Sequence, residues 1–106
     1  MEKDETTETL VLDERVRLTM GELCRTCGVS AEYVVTLVEE GLIEPEPTDA
    51  GVWRFHGPAL LRVRQTLRLQ RDLELNVPGA VLAVELLEEV QHLRARVRLL
   101  EELLEE

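Results

Sequence analysis

Cys24 and Cys27 stand in a C-x-x-C, a spacing at which two thiolates can share a zinc ion or undergo redox exchange. Neither chemistry finds its other parts. A structural zinc site needs four ligands, no second cysteine pair exists, and His56 and His92 lie far along the chain. A redox pair needs a thioredoxin-like strand-to-helix junction, and the residues around this one read as a helix. The expected state is two thiols, one packed between helices and one near a helix end, with no metal bound. His56 and His92 have no companion Ser, Cys or carboxylate at a catalytic spacing. There is no Gly-rich phosphate loop and no nucleophile elbow. The sequence makes no case for an enzyme or for a cofactor.

The remaining chemistry is charge. The formal net charge is −10 over 106 residues. Residues 1–60 hold 13 acids and 5 bases, and residues 61–106 hold 9 acids and 7 bases. The surplus in the first half favours a basic partner and disfavours nucleic acid or an anionic membrane. The argument for nucleic acid rests on Arg62, Arg64, Arg68 and Arg71, with Arg54 nearby. Their simpler reading is a solvated face paired to carboxylates of neighbouring helices.

The elements that position these groups are helical. Thr19 followed by Glu22 is a capping box, and Gly28 supplies a left-handed C-cap for a short first helix. Ser30 caps a second helix, on which Val34, Leu37 and Val38 share one face, and Gly41 ends it. This spacing is that of a helix-turn-helix, a module usually built to sit on DNA. The second helix should carry the reading residues, yet from Ser30 to Glu40 it has no Arg, Lys, Asn or Gln and carries Glu32, Glu39 and Glu40. Duplex affinity rests largely on phosphate neutralisation, which this helix opposes.

Beyond Gly41, Leu42 and Ile43 return to the core, and Pro45 and Pro47 bar further helix. Residues 52–55 read as a strand, with the turn at 49–51, and are expected to form a wing with Leu42-Ile43. Gly57-Pro58 opens a third helix running to about Leu73. Asn76 caps a last helix. Residues 78–106 would span roughly 43 Å if all helical. Along it Ala83, Leu86, Val90, Leu93, Val97, Leu100 and Leu104 recur at alternating intervals of three and four, the seam of a coiled coil. Such a seam predicts a homodimer. Upstream, residues 9–18 hold β-prone runs around Asp13-Glu14, where a strand or hairpin is possible.

The fold class is therefore mainly α: a winged helix-turn-helix with a small β wing and a long dimerisation helix. Its expected divisions are an acidic tail at 1–8, the winged domain at 9–75 and the dimerisation helix at 76–106. The core must be mostly Leu and Val, since only Tyr33, Trp53 and Phe55 are aromatic. A hydrophobic content of 44% suffices for it. The acidic N-terminus is the reverse of a signal peptide, and no run has the apolar length of a membrane helix. A cytoplasmic location with reduced thiols is expected.

The order T-x-x-E-L-C, G-V-S, E-E-G-L-I-E-P and G-V-W-R-F resembles the MerR-type winged helix-turn-helix. Residues 68–93, with the run into Pro78-Gly79 and the following Leu-rich helix with Glu88-Glu89 and His92-Leu93, are similar to the third and fourth helices of CbpM-type chaperone modulators. The resemblance covers about residues 15–100. It implies a small bacterial protein that binds the J-domain of a DnaJ-like (CbpA-type) co-chaperone, inhibits its stimulation of Hsp70 and lowers its DNA binding. The long helix resembles the MerR dimerisation helix, usually an antiparallel pair. Where DNA-binding MerR proteins carry an Arg-Tyr-Tyr-like stretch, this chain has Thr36-Leu37-Val38.

On this reading the J-domain surface comprises Glu32, Glu39, Glu40, Glu44 and Glu46, with Tyr33 and Val34 as apolar anchors. Leu86, Val90, Leu93, Val97, Leu100 and Leu104 form the dimer seam. The alternatives are a MerR-like transcriptional regulator that binds DNA directly, and a helical oligomerisation unit.

Overall fold

The computed structural model describes residues 14–105. Residues 1–13, which include the acidic tail and the first half of the anticipated strand or hairpin, lie outside the described part. Three short strands and four helices follow: β1 (Arg17–Thr19), α1 (Met20–Cys27), α2 (Ala31–Glu39), β2 (Glu46–Pro47), β3 (Trp53–His56), α3 (Gly57–Leu73) and α4 (Val77–Leu104). The protein is mainly helical, with a small antiparallel sheet of order β1-β3-β2.

Local chemistry sets most of the helix ends. Thr19 Oγ1 accepts from the Glu22 amide at 3.0 Å, and the Thr19 amide donates to Glu22 Oε1 at 2.9 Å, closing the capping box of α1. Gly28, at φ +72°, ends the helix and donates its N–H to the Cys24 carbonyl. Ser30 Oγ accepts from the Tyr33 amide, and Asn76 Oδ1 from the Gly79 amide, so α2 and α4 also begin on side-chain caps. The end of α3 is different: Glu74 adopts φ +55°, a conformation that costs an L side chain roughly 1–2 kcal/mol.

The sheet corrects one expectation. Leu42-Ile43 is not a strand of the wing; β3 pairs instead with Glu46–Pro47 on one side and with β1 on the other. Successive strand residues face opposite ways, so a strand there would turn one of these two apolar side chains to water. Off the ladder, both enter the core, at 2% and 3% exposure. The strand begins three residues later. Pro47, which has no N–H to donate, is tolerated because β2 is an edge strand.

Leu23 of α1, Val34 and Leu37 of α2, Phe55 of β3, Val63 of α3 and Val81 and Val84 of α4 meet in one core with Leu42, Ile43, Ala59 and Leu60. Phe55 is fully buried and packs edge-on to Trp53, with ring centroids 6.2 Å apart. Burial of this kind makes a Phe-to-Ala change cost about 3–5 kcal/mol.

Only the first part of α4 packs on this body. Ala80, Val81 and Val84 are buried, and from Glu89 onward every described residue of the helix is exposed. The 28-residue helix projects outward, which gives the molecule its long dimension of 52 Å against 34 and 32 Å.

Candidate partner-binding surface

Capped by Ser30, α2 buries Val34 and Leu37 and turns its other side to solvent. Glu32 and Glu39 are seven residues apart, two helical turns, and so share one face. Both are exposed, as is Glu40 at the C-cap. Thr36 is turned back on its own helix, donating from Oγ1 to the Glu32 carbonyl at 3.0 Å. The position that would read bases therefore presents carboxylates as its only charged groups. Glu39 and Glu40 also sit at the C-terminal end of α2, whose last turn holds no base. Carboxylates there oppose the helix dipole, and an added cation would relieve them.

Two anticipated anchors take other roles. Val34 is fully buried between helices and cannot touch a partner, which corrects its assignment to the binding surface. Tyr33 is half-buried: its hydroxyl donates to Gln70 Oε1 at 2.5 Å, and Gln70 Nε2 donates to the Leu75 carbonyl at 3.2 Å. The ring ties α2 to α3 and to the α3–α4 turn, and burial pushes the phenol pKa up.

Glu44 and Glu46 are separated in place from the acids of α2. They border a groove of about 470 Å³ between the wing and the start of α3, which Glu32, Glu39 and Glu40 do not line. The sequence reading missed two further members, Glu14 and His56. His56 Nδ1 lies 2.9 Å from the Glu14 carbonyl and 3.2 Å from its Oε1, and Nε2 lies 3.5 Å from Glu46 Oε1. Arg17 Nε donates to that same Glu46 oxygen at 2.9 Å. The sheet makes these contacts, since β3 sits between β1 and β2. Sequence separation hid them.

The other motifs resolve simply. Cys27 Sγ lies 3.8 Å from the Leu60 carbonyl, and burial raises its pKa to about 11 against the lowering influence of Arg64. Both cysteines are free and pack against the core. Among the described residues no group of three or more His, Cys, Asp or Glu is placed to hold a metal ion. Arg62 bonds to Glu88 and to the Leu42 carbonyl, while Arg68 and Arg71 are exposed. The seam residues Leu86, Val90, Leu93, Val97, Leu100 and Leu104 are between 40% and 85% exposed in the single chain. No helix among the described residues is long and apolar enough to cross a membrane.

The helix-turn-helix, the small wing and the projecting helix define a MerR-type protein, and residues 18–102 match the family described as MerR HTH family regulatory protein. Closer relatives narrow the class. The chain is 40% identical over 87 residues to the Chaperone modulatory protein CbpM of Pseudomonas putida (strain W619), covering 82% of this chain and 86% of that protein. It is 39% identical, over the same shares, to the protein of that name from Pseudomonas entomophila (strain L48). With that of Coxiella burnetii (strain Dugway 5J108-111) it shares 34% over 92 residues, 87% of each chain. The chain belongs to the CbpM family of chaperone modulatory proteins.

Proposed function

We propose that the protein is a cytoplasmic, homodimeric chaperone modulator that binds the J-domain of a DnaJ-like (CbpA-type) co-chaperone through its acidic helix-turn-helix half. Occupying the basic helix that a J-domain offers to Hsp70 would inhibit the co-chaperone and lower its DNA binding. The observation that carries this reading is α2: in the position of a recognition helix, its exposed face carries Glu32, Glu39 and Glu40 and no cation. Its relatives are named chaperone modulators, a non-enzymatic role. The homodimer is supported by the continuous apolar stripe from Leu86 to Leu104.

Titration calorimetry against the cognate J-domain tests the proposal. Charge reversal of Glu39 and Glu40 to Lys should weaken binding and reduce its salt dependence, because complementary charge acts mainly on encounter. Full affinity in the double variant at low and high salt would remove α2 from the interface. No binding by the wild-type protein would overturn the function.

A further inference from the structure

Acidity alone makes a solvated patch, but the wing groove adds shape to it. Its lining is mixed, and Ile43 and Ala59, core residues at 3% and 8% exposure, offer little of its surface. Pro45, Pro47 and Pro58 add apolar surface to it, and Glu14, Glu44 and Glu46 stand beside them on the lining. The bases within reach are already engaged. Arg62 is held by Glu88 and the Leu42 carbonyl. Arg17 bonds to Glu46. His56 lies between Glu14 and Glu46, with a ring nitrogen toward each. Glu44 is exposed and has no ion pair or hydrogen bond among the described residues.

A groove that sets proline rings beside carboxylates is complementary to a long cationic side chain, whose methylene stem lies on apolar surface while its head stays polar. We infer that this groove receives a Lys or Arg side chain from a basic helix of a protein partner, and that it, rather than the face of α2, is the anchoring point of the interface. Anchors of this kind sit in pockets, with the surrounding charges acting as a rim. The inference rests on the reading that the partner is a protein with a basic helix. It adds Glu14 and His56 to the surface and makes Glu44 the residue on which the incoming charge depends.

The test uses the full chain, ¹⁵N-labelled, and a synthetic amphipathic helical peptide carrying Lys and Arg. A second peptide has those residues replaced by norleucine and citrulline. The basic peptide should give saturable shifts at the amides of Glu44, Glu46, His56 and Ala59, and the neutral one should not. Glu44→Lys should weaken the basic peptide by about tenfold, as charge reversal at a partly desolvated pair does. Glu32→Lys should change it less than about twofold, the behaviour of a rim charge. Absence of binding, equal shifts along α2, or unchanged affinity in Glu44→Lys would overturn the inference, as would the same shifts on adding magnesium chloride alone. The J-domain separates the two readings. If the peptide binds as described but the J-domain does not bind, the proposed partner falls and the groove stands. If the J-domain keeps full affinity for Glu44→Lys, the groove falls and the partner stands.

Discussion

Arg62 of α3 holds Glu88 of α4 at 2.9 Å, Nε to Oε2, across 26 residues of sequence. From Nη1 the same guanidinium donates to the Leu42 carbonyl, also at 2.9 Å. One side chain thus ties three segments: the turn after α2, α3 and the base of α4. Both members of the ion pair are part-exposed, at 43% and 33%, so the pair itself contributes less than about 1 kcal/mol. The charge-assisted bond to the carbonyl is the larger contribution, at about 1.5–3 kcal/mol. Arg62→Leu should therefore lower Tm by more than Glu88→Gln does. Equal losses in thermal melts would assign the stabilisation to the ion pair.

Cys27 makes stability depend on pH in the alkaline range. Its pKa rises from 9.0 to about 11 on folding, so the folded state holds the thiol proton more tightly than the unfolded chain. The sign follows: this contribution is fully present below pH 9.0 and is lost as pH rises through about 11. Urea midpoints measured from pH 8 upward should fall more steeply for the native protein than for Cys27→Ala. At pH 8 Cys27 should also alkylate more slowly than an unperturbed thiol, since the thiolate is the reactive form.

Glu74→Gly should stabilise the protein. The left-handed backbone at this position is strained for glutamate and open to glycine. Part of the gain is offset by the greater freedom of glycine in the unfolded chain, leaving about 0.5–1 kcal/mol. At fixed protein concentration Tm should rise by about 2–6 °C. A lower Tm would mean that the Glu74 side chain contributes more than its conformation costs.

Leu93→Glu combined with Leu100→Glu should abolish the proposed homodimer. Each large apolar side chain on the seam gains about 1.5–3 kcal/mol from burial, and a charge at the same position loses it. Light scattering should report a monomer mass or aggregation. An unchanged dimer mass would move the interface away from residues 83–104.

No duplex DNA should bind measurably at physiological salt. Specific complexes reach ~10⁻⁸ M or tighter under such conditions. Arg68 and Arg71 are exposed, but the carboxylates of α2 stand where a recognition helix would meet phosphate. Electrophoretic shifts at low salt, where non-specific binding is strongest, give the most stringent test. Nanomolar binding to an operator-like duplex would restore the regulator reading.

What the sequence made legible was local. Thr19 with Glu22, Ser30 and Asn76 announced three helix starts because a cap is written within four residues. The alternation along α4 showed both its length and its unpartnered stripe. The i, i+3, i+4 spacing of Val34, Leu37 and Val38 already implied burial, and it should have excluded Val34 from the binding surface. The strand at Glu46–Pro47 was hidden because two residues carry no periodicity. The contacts of His56 with Glu14, 42 residues apart, depend on which strand lies in the middle of the sheet. No spacing rule reaches that far.

The edge of the sheet also decides how a partner can be met. Of residues 45–47 only Glu46 has a backbone N–H, because Pro45 and Pro47 flank it. A row of free N–H and C=O groups is what an edge strand offers to an incoming strand. Here the outer side of β2 keeps its carbonyls but has at most one N–H to offer, in a strand two residues long. Recognition by β-augmentation is closed on that side, and so is its pathological form, edge-to-edge stacking of copies into fibrils. A protein docking at the wing has to use side chains, and its backbone must arrive with its own hydrogen bonds already made, as a helix does.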